Sequence, residues 1–132
     1  MAKNNIVKFD TAPVVFTIIG ISSQESDYRL SWSINEHLGL SFAIGENLVT
    51  KDGKEFTCFV NGDDDLRLTL VSNRCDKGFL LEKFKKLDFI LKFEQELDKE
   101  GISAWLRSLR KTPFVSAAFM MPIDKQVLKL LG

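Results

Sequence analysis

The chain holds a single histidine, His37, so a Ser-His-Asp or Cys-His mechanism would have to run through that one residue. Glu36 and Glu25 are the acidic groups that could join it in general acid–base work. His37 also falls near the C-terminus of a helix, where the dipole favours a cation, and that accounts for it without catalysis. Asp63-Asp64-Asp65 could offer oxygens to a divalent cation but lacks the spaced ligands and distal Glu of an EF-hand loop. A polar hairpin tip explains the run. Ser22 and Ser23 read as helix caps rather than nucleophiles. Gly20-Ile21-Ser22, between a strand and a helix, could present amides to an anion, a geometry common to most such turns. No Gly-rich phosphate loop, HExxH or GxSxG occurs. Cys58 and Cys75 have no zinc, CxxC or disulfide-framework spacing, and two reduced thiols suit a cytosol. The residues therefore point to no catalytic group, no metal site and no cofactor.

Binding chemistry has more to draw on. Lys83, Lys85 and Lys86 surround Phe84, and Arg107 and Arg110 precede Lys111. Together they could form an RNA-facing patch with an aromatic to stack on. The plainer reading is a solvated loop with one buried Phe and lysine stems covering apolar surface. Tyr28, Arg29 and Asn35 are further interaction candidates, and Tyr28 fits equally at the rim of a core. Lys plus Arg balance Asp plus Glu at 18 each. A neutral chain is unsuited to non-specific DNA binding, which draws its affinity from phosphate contacts, and low net charge favours self-association.

Residues 80–93 carry the clearest element. Leu87, Phe89, Leu91 and Phe93 alternate with Asp88, Ile90, Lys92 and Glu94, which puts four large apolar groups on one strand face. Their burial is worth roughly 1.5–3 kcal/mol each. The opposite face is mixed and reads as partly wet.

Around it the chain reads in order. After a frayed start at Met1–Asn5, Val14–Ile19 reads as a first, central strand that Gly20 ends. The run from Pro13 to Ile21, after Lys3 and Lys8, mimics a secretory signal but has no small-x-small cleavage site and is read as fold. Ser22-Ser23-Gln24-Glu25 forms a capping box, predicting a helix over 23–38 with Leu30, Ile34 and Leu38 inward, Tyr28 and Trp32 beside them and Gly39 as its stop. Short strands follow at 40–44 and 48–49. Lys51-Asp52-Gly53-Lys54 and Asn61-Gly62 read as hairpin turns, flanking a strand with Phe56, Cys58 and Val60 inward. Leu66, Leu68 and Leu70 line the next strand, and Asn73–Gly78 turns the chain. A solvated run, 94–100, leads to a second helix over 101–111 on Ile102, Leu106 and Leu109. Phe114–Met121 reads as a last strand, and Pro122 and Asp124 open a C-terminal helix whose Val127, Leu128, Leu130 and Leu131 exceed what one short face can bury.

The expected fold is α+β and two-layered. It has a mostly antiparallel sheet of about five to six strands, two main helices and a short C-terminal helix, in one domain over 1–132. The 45% hydrophobic content and 11 phenylalanines supply a ring-rich core.

Asp27-Tyr28-Arg29-Leu30, then Ile34-Asn35-Glu36-His37-Leu38-Gly39-Leu40, resemble the early segment of the IPExxxVDY family of Bacteroidetes. Leu87-Asp88-Phe89 is similar to its Val-Asp-Tyr, with Leu81-Glu82-Lys83 where Ile-Pro-Glu would stand. Phe114–Leu128 is similar to the closing segment. The resemblance implies a small bacterial cytoplasmic protein and brings no activity or catalytic residue with it. The expected role is a non-enzymatic protein-binding or adaptor domain, not membrane-bound, with an unidentified protein partner or a second copy as homodimer. RNA association and a small-ligand or enzymatic pocket are the alternatives.

Overall fold

The computed structural model describes residues 16–63 and 65–132. The frayed start, Val14 and Val15 of the first strand, and Asp64 of the acidic run lie outside them. The fold is α+β, built on one six-stranded antiparallel sheet. Its strands are β1 (Thr17–Ser22), β2 (Phe42–Ile44), β5 (Cys58–Asp63), β6 (Leu66–Ser72), β9 (Phe89–Phe93) and β10 (Ala117–Met120), in the order β10-β1-β9-β6-β5-β2. Two small hairpins flank it, β3 (Leu48–Val49) with β4 (Glu55–Phe56), and β7 (Arg74–Cys75) with β8 (Gly78–Phe79). The helices are α1 (Asp27–Leu38), α2 (Lys99–Arg110) and α3 (Lys125–Leu131), with a 3₁₀ turn at Glu82–Phe84. β9 and β10 are both antiparallel to β1 and hence parallel to each other, so α2 carries the chain over β1 between them.

Both faces of the sheet are covered. On one, α1 (Leu30, Ile34) and α2 (Leu109, with Trp105 edge-on to Phe93 at 5.0 Å) pack on Ile19, Ile21, Leu68, Leu70, Phe89, Leu91 and Phe93. On the other, Leu80, Leu81, Leu87 and α3 residues Val127 and Leu131 cover Ile18, Val71 and Ile90. Ile90 is therefore fully buried, and the face of β9 expected to be partly wet keeps only Lys92 half-buried, its Nζ 5.0 Å from the Phe16 ring. Leu87 departs from the expected face. It sits in the turn before β9, outside the strand alternation, and joins the second cluster.

Gly20 lies inside β1 rather than ending it. A Cβ there would come within 2.7 Å of Leu87 Cδ1 and Cδ2 and 3.0 Å of Met121 Sδ, so glycine lets two side chains of the second layer seat on this strand. α1 begins four residues later than expected. Its N-cap is Ser26, whose hydroxyl accepts from Arg29 N–H, while Ser22 remains in β1 and Ser23 Oγ accepts from Glu25 N–H. Gly39, at φ 66°, stops the helix in the left-handed position expected of it. Asn61-Gly62 is no turn. Both residues belong to β5, pairing with Leu68 and Arg67, and the hairpin closes beyond Asp63. The last strand starts at Ala117 because Phe114 takes φ 76° in the loop leaving α2, under the Arg29 guanidinium at 5.0 Å.

Asparagines tie the irregular segments to this frame. Fully buried Asn73 donates through Nδ2 to the carbonyls of Phe84 and Leu87 and accepts from Leu81 N–H, organising residues 80–88. Asn61 accepts from Ser41 N–H and donates to Leu66 O. Both read in sequence as turn formers, but as buried carboxamides they satisfy backbone groups that water cannot reach.

Candidate functional site

Alternation fixes which backbone groups each strand turns outward. Met121 N–H donates to Ile18 O, so on β10 the amides and carbonyls of Ala118 and Met120 point away from β1. Gly45 N–H donates to Cys58 O, so on β2 those of Phe42 and Ile44 point away from β5. These two sets are the sheet's edges, where another chain could pair.

One side-chain row crosses the whole sheet between them: Met120, Ile19, Leu91, Leu70, Phe59 and Ile44. Its four central members are at most 3% exposed, whereas Met120 and Ile44 are 56% and 53% exposed. The row runs off both edges.

Two of the expected interaction residues cap these edges. The Asn35 carboxamide of α1 accepts from Phe42 N–H (2.7 Å) and donates to Phe42 O (3.1 Å), replacing a neighbouring strand at that residue. Arg110 of α2 donates from Nε to Ala118 O at 3.0 Å. Among the described residues, the N–H of Ala118, which is only 2% exposed, and both backbone groups of Met120 on β10 and of Ile44 on β2 have no partner. Beside Met120 lies a cleft of about 760 Å³, with Leu97, Ile102 and Leu106 in its wall. On the opposite face Phe119 is 39% exposed. Neither Met120 nor Phe119 stood out in the sequence. Their strand is marked by composition, but its edge position depends on strand order.

The other expected residues are dispersed. Tyr28 stands mostly exposed and meets Phe59 edge-on at 5.2 Å. Arg29 pairs with Glu25 at 2.9 Å and covers the Phe114 ring. Trp32, exposed beyond its helix, is an interaction-type residue that the core pattern concealed. Phe84 is half-buried against the second cluster, so it packs rather than offers a stacking platform. Lys83, Lys85 and Lys86 ride on that layer, with Lys83 3.9 Å from Asp124 and Lys85 5.9 Å from the Phe79 ring centroid. Arg107 and Arg110 belong to α2 on the opposite face. The two basic clusters thus sit on opposite layers and do not form one patch. Of the C-terminal apolar residues, Val127 and Leu131 are buried, Leu130 packs on the second cluster, and Leu128 alone is exposed.

The chemistry-bearing residues are also accounted for. A cleft of about 540 Å³ opens at the end of the sheet among Ser22, Ser23, Ser72, Arg74, Asp88 and Ser116. Its anion seat is filled by the chain itself, because Asp88 accepts from Ser23 N–H at 2.7 Å and pairs with Arg74. Ser22 Oγ donates to Lys86 O. His37 Nδ1 lies 3.0 Å from Ser33 O, one turn back on its own helix. In the β3–β4 hairpin, Lys54 reaches Asp52 at 3.5 Å and Glu82 at 3.4 Å. The Asp52 carboxyl is held below its usual range chiefly by the Thr50 hydroxyl, with Lys54 adding to it. Burial pushes the Cys58 thiol up; Cys75 is half-buried, and neither cysteine is in a disulfide. Among the described residues no three His, Cys, Asp or Glu side chains gather as a metal site. No described helix is long and apolar enough to cross a membrane.

A scan against protein-family models found no match to this chain, and a search of curated proteins found none either.

Proposed function

We propose that this chain is a non-enzymatic protein-binding domain of the bacterial cytoplasm, and that it binds by adding an extended segment of its partner to β10. The observation that carries the reading is the β10 edge: both outward backbone groups of Met120 without partners among the described residues, flanked by exposed Met120 and Phe119 and by the apolar cleft against α2. Main-chain hydrogen bonds supply affinity in strand addition, and pockets for alternate side chains supply specificity. The polar cleft gives an enzymatic reading less, since Asp88, Arg74, Ser22 and Ser23 are engaged with one another or with backbone. The IPExxxVDY resemblance fits a small cytoplasmic protein and adds no activity.

The test is affinity purification with the chain as bait, half the sample nuclease-treated, repeated with Met120→Pro. Proline removes an outward N–H that no described residue uses. Partners that survive nuclease and vanish with Met120→Pro are the expected result. Partners lost to nuclease would transfer the function to RNA, and partners indifferent to Met120→Pro would move the site off β10.

A further inference from the structure

We propose that the segment added to β10 is β10 of a second copy, so that two chains join their six-stranded sheets across a two-fold axis. This rests on the protein-binding reading of that edge and names its occupant. Three features make the edge complementary to itself.

The first is the backbone. In an antiparallel pair centred on Phe119, Ala118 of one copy lies opposite Met120 of the other, and both outward residues of each strand become hydrogen-bonded pairs; Ala118 is only 2% exposed in the single chain, so this pairing requires the Arg110 side chain to shift off the edge. Registers centred on Ala118 or Met120 use fewer of these groups. The Ala118 carbonyl that Arg110 occupies has a second lone pair to accept with.

The second is side-chain size. On the helix-covered face the same register sets each Met120 against the small Ala118 of the other copy. On the opposite face it sets Phe119 directly against Phe119, in the closer, non-hydrogen-bonded kind of pair.

The third is charge. α2 runs antiparallel to β10. Arg110 therefore sits beside Ala118, and the N-terminal end of α2, with Glu96 and Asp98, sits beside Met120. Arg107, Arg110 and Lys111 at one end, and Glu96, Asp98 and Glu100 with Lys99 among them at the other, net acidic, are all exposed and make no ion pair among the described residues. A two-fold axis across β10 turns the basic end of each copy toward the acidic end of the other. A parallel partner strand would set like against like.

The test is sedimentation of the full chain over roughly two decades of concentration, together with oxidation of a Phe119→Cys variant carrying Cys75→Ser. The expected result is a concentration-dependent dimer that Met120→Pro weakens at least about tenfold. Phe119→Cys should oxidise to a covalent dimer while Met120→Cys in the same background does not, because opposed residues of a non-hydrogen-bonded pair stand about 4.5 Å apart at Cα, within disulfide reach. A monomer throughout, with no covalent Phe119→Cys dimer, overturns the proposal; partner capture that still depends on Met120 would then leave the protein-binding reading standing with another occupant. A dimer indifferent to Met120→Pro and uncrosslinked at Phe119→Cys overturns it as well. Circular dichroism of each variant separates loss of pairing from loss of fold.

Discussion

The two edges of the sheet end the same side-chain row and are defended differently. At β2, one carboxamide supplies both a donor and an acceptor to Phe42, and the strand is only three residues long. At β10, one guanidinium nitrogen takes one carbonyl, and the strand carries two large exposed side chains. Natural sheets blunt their edges with short strands, charges and covering elements. β2 is capped at Phe42 and open at Ile44; β10 is covered at Ala118, open at Met120, and one residue longer.

The largest contrast lies along the row itself. Leu91→Ala, in its buried middle, should cost about 2–5 kcal/mol by chemical denaturation. Met120→Ala and Ile44→Ala at its ends should each stay within about 1 kcal/mol of wild type, because half their surface is already wet. Equal costs at centre and ends would mean that the exposed residues are core after all. Next comes the β2 cap. Asn35→Ala removes two hydrogen bonds from half-buried backbone and should lower stability by about 1–3 kcal/mol. It should also raise the aggregation rate, measured by light scattering on partial denaturation. Arg110→Ala, which opens the Ala118 carbonyl to water at the sheet's edge, should cost no more than about 1 kcal/mol. If the order of these two were reversed, β10 would be the guarded edge. The smallest effect concerns the second-face row that ends in Phe119 near one edge and passes through Cys58 near the other. Burial raises the folded Cys58 pKa, so the neutral thiol contributes stability that is complete below the unfolded value of about 8.5 and is lost as pH rises through the folded one. A denaturation midpoint that falls above that pH in wild type, and holds in Cys58→Ala, is the check. In native protein, alkylation should mark Cys75 well before Cys58.

Much of the frame was legible because alternation and amphipathic period are local. Leu66, Leu68 and Leu70 face the core on β6, and Leu30 and Ile34 face it on α1, as their spacing predicts. What the sequence concealed depends on neighbours far away in the chain. Gly20 resembles a strand end until Leu87 and Met121 are placed above it. Asn73 resembles a turn former until the segment it braces folds over it. The capping box at Ser22–Glu25 and the cap at Ser26 have the same chemistry, and the pull of β1 pairing with Ala117 selects the second. The candidate site shows the same division. Asn35 and Arg110 were recognisable as polar residues needing partners, and the sheet order turns them from binding residues into edge caps. Met120 became visible only once its strand was known to be outermost.

The position of β1 has a consequence for synthesis. β1, an interior strand, is made before its partners, residues 89–93 and 117–120. Translation at about 5–20 residues per second leaves Thr17–Ser22, a hexamer with three isoleucines, waiting roughly 4–14 seconds for β9 and longer for β10. The β5–β6 hairpin and α1 can organise locally in that interval, but the two halves of the sheet cannot join until β9 emerges. Until then β1 remains an unpaired, isoleucine-rich strand on the nascent chain.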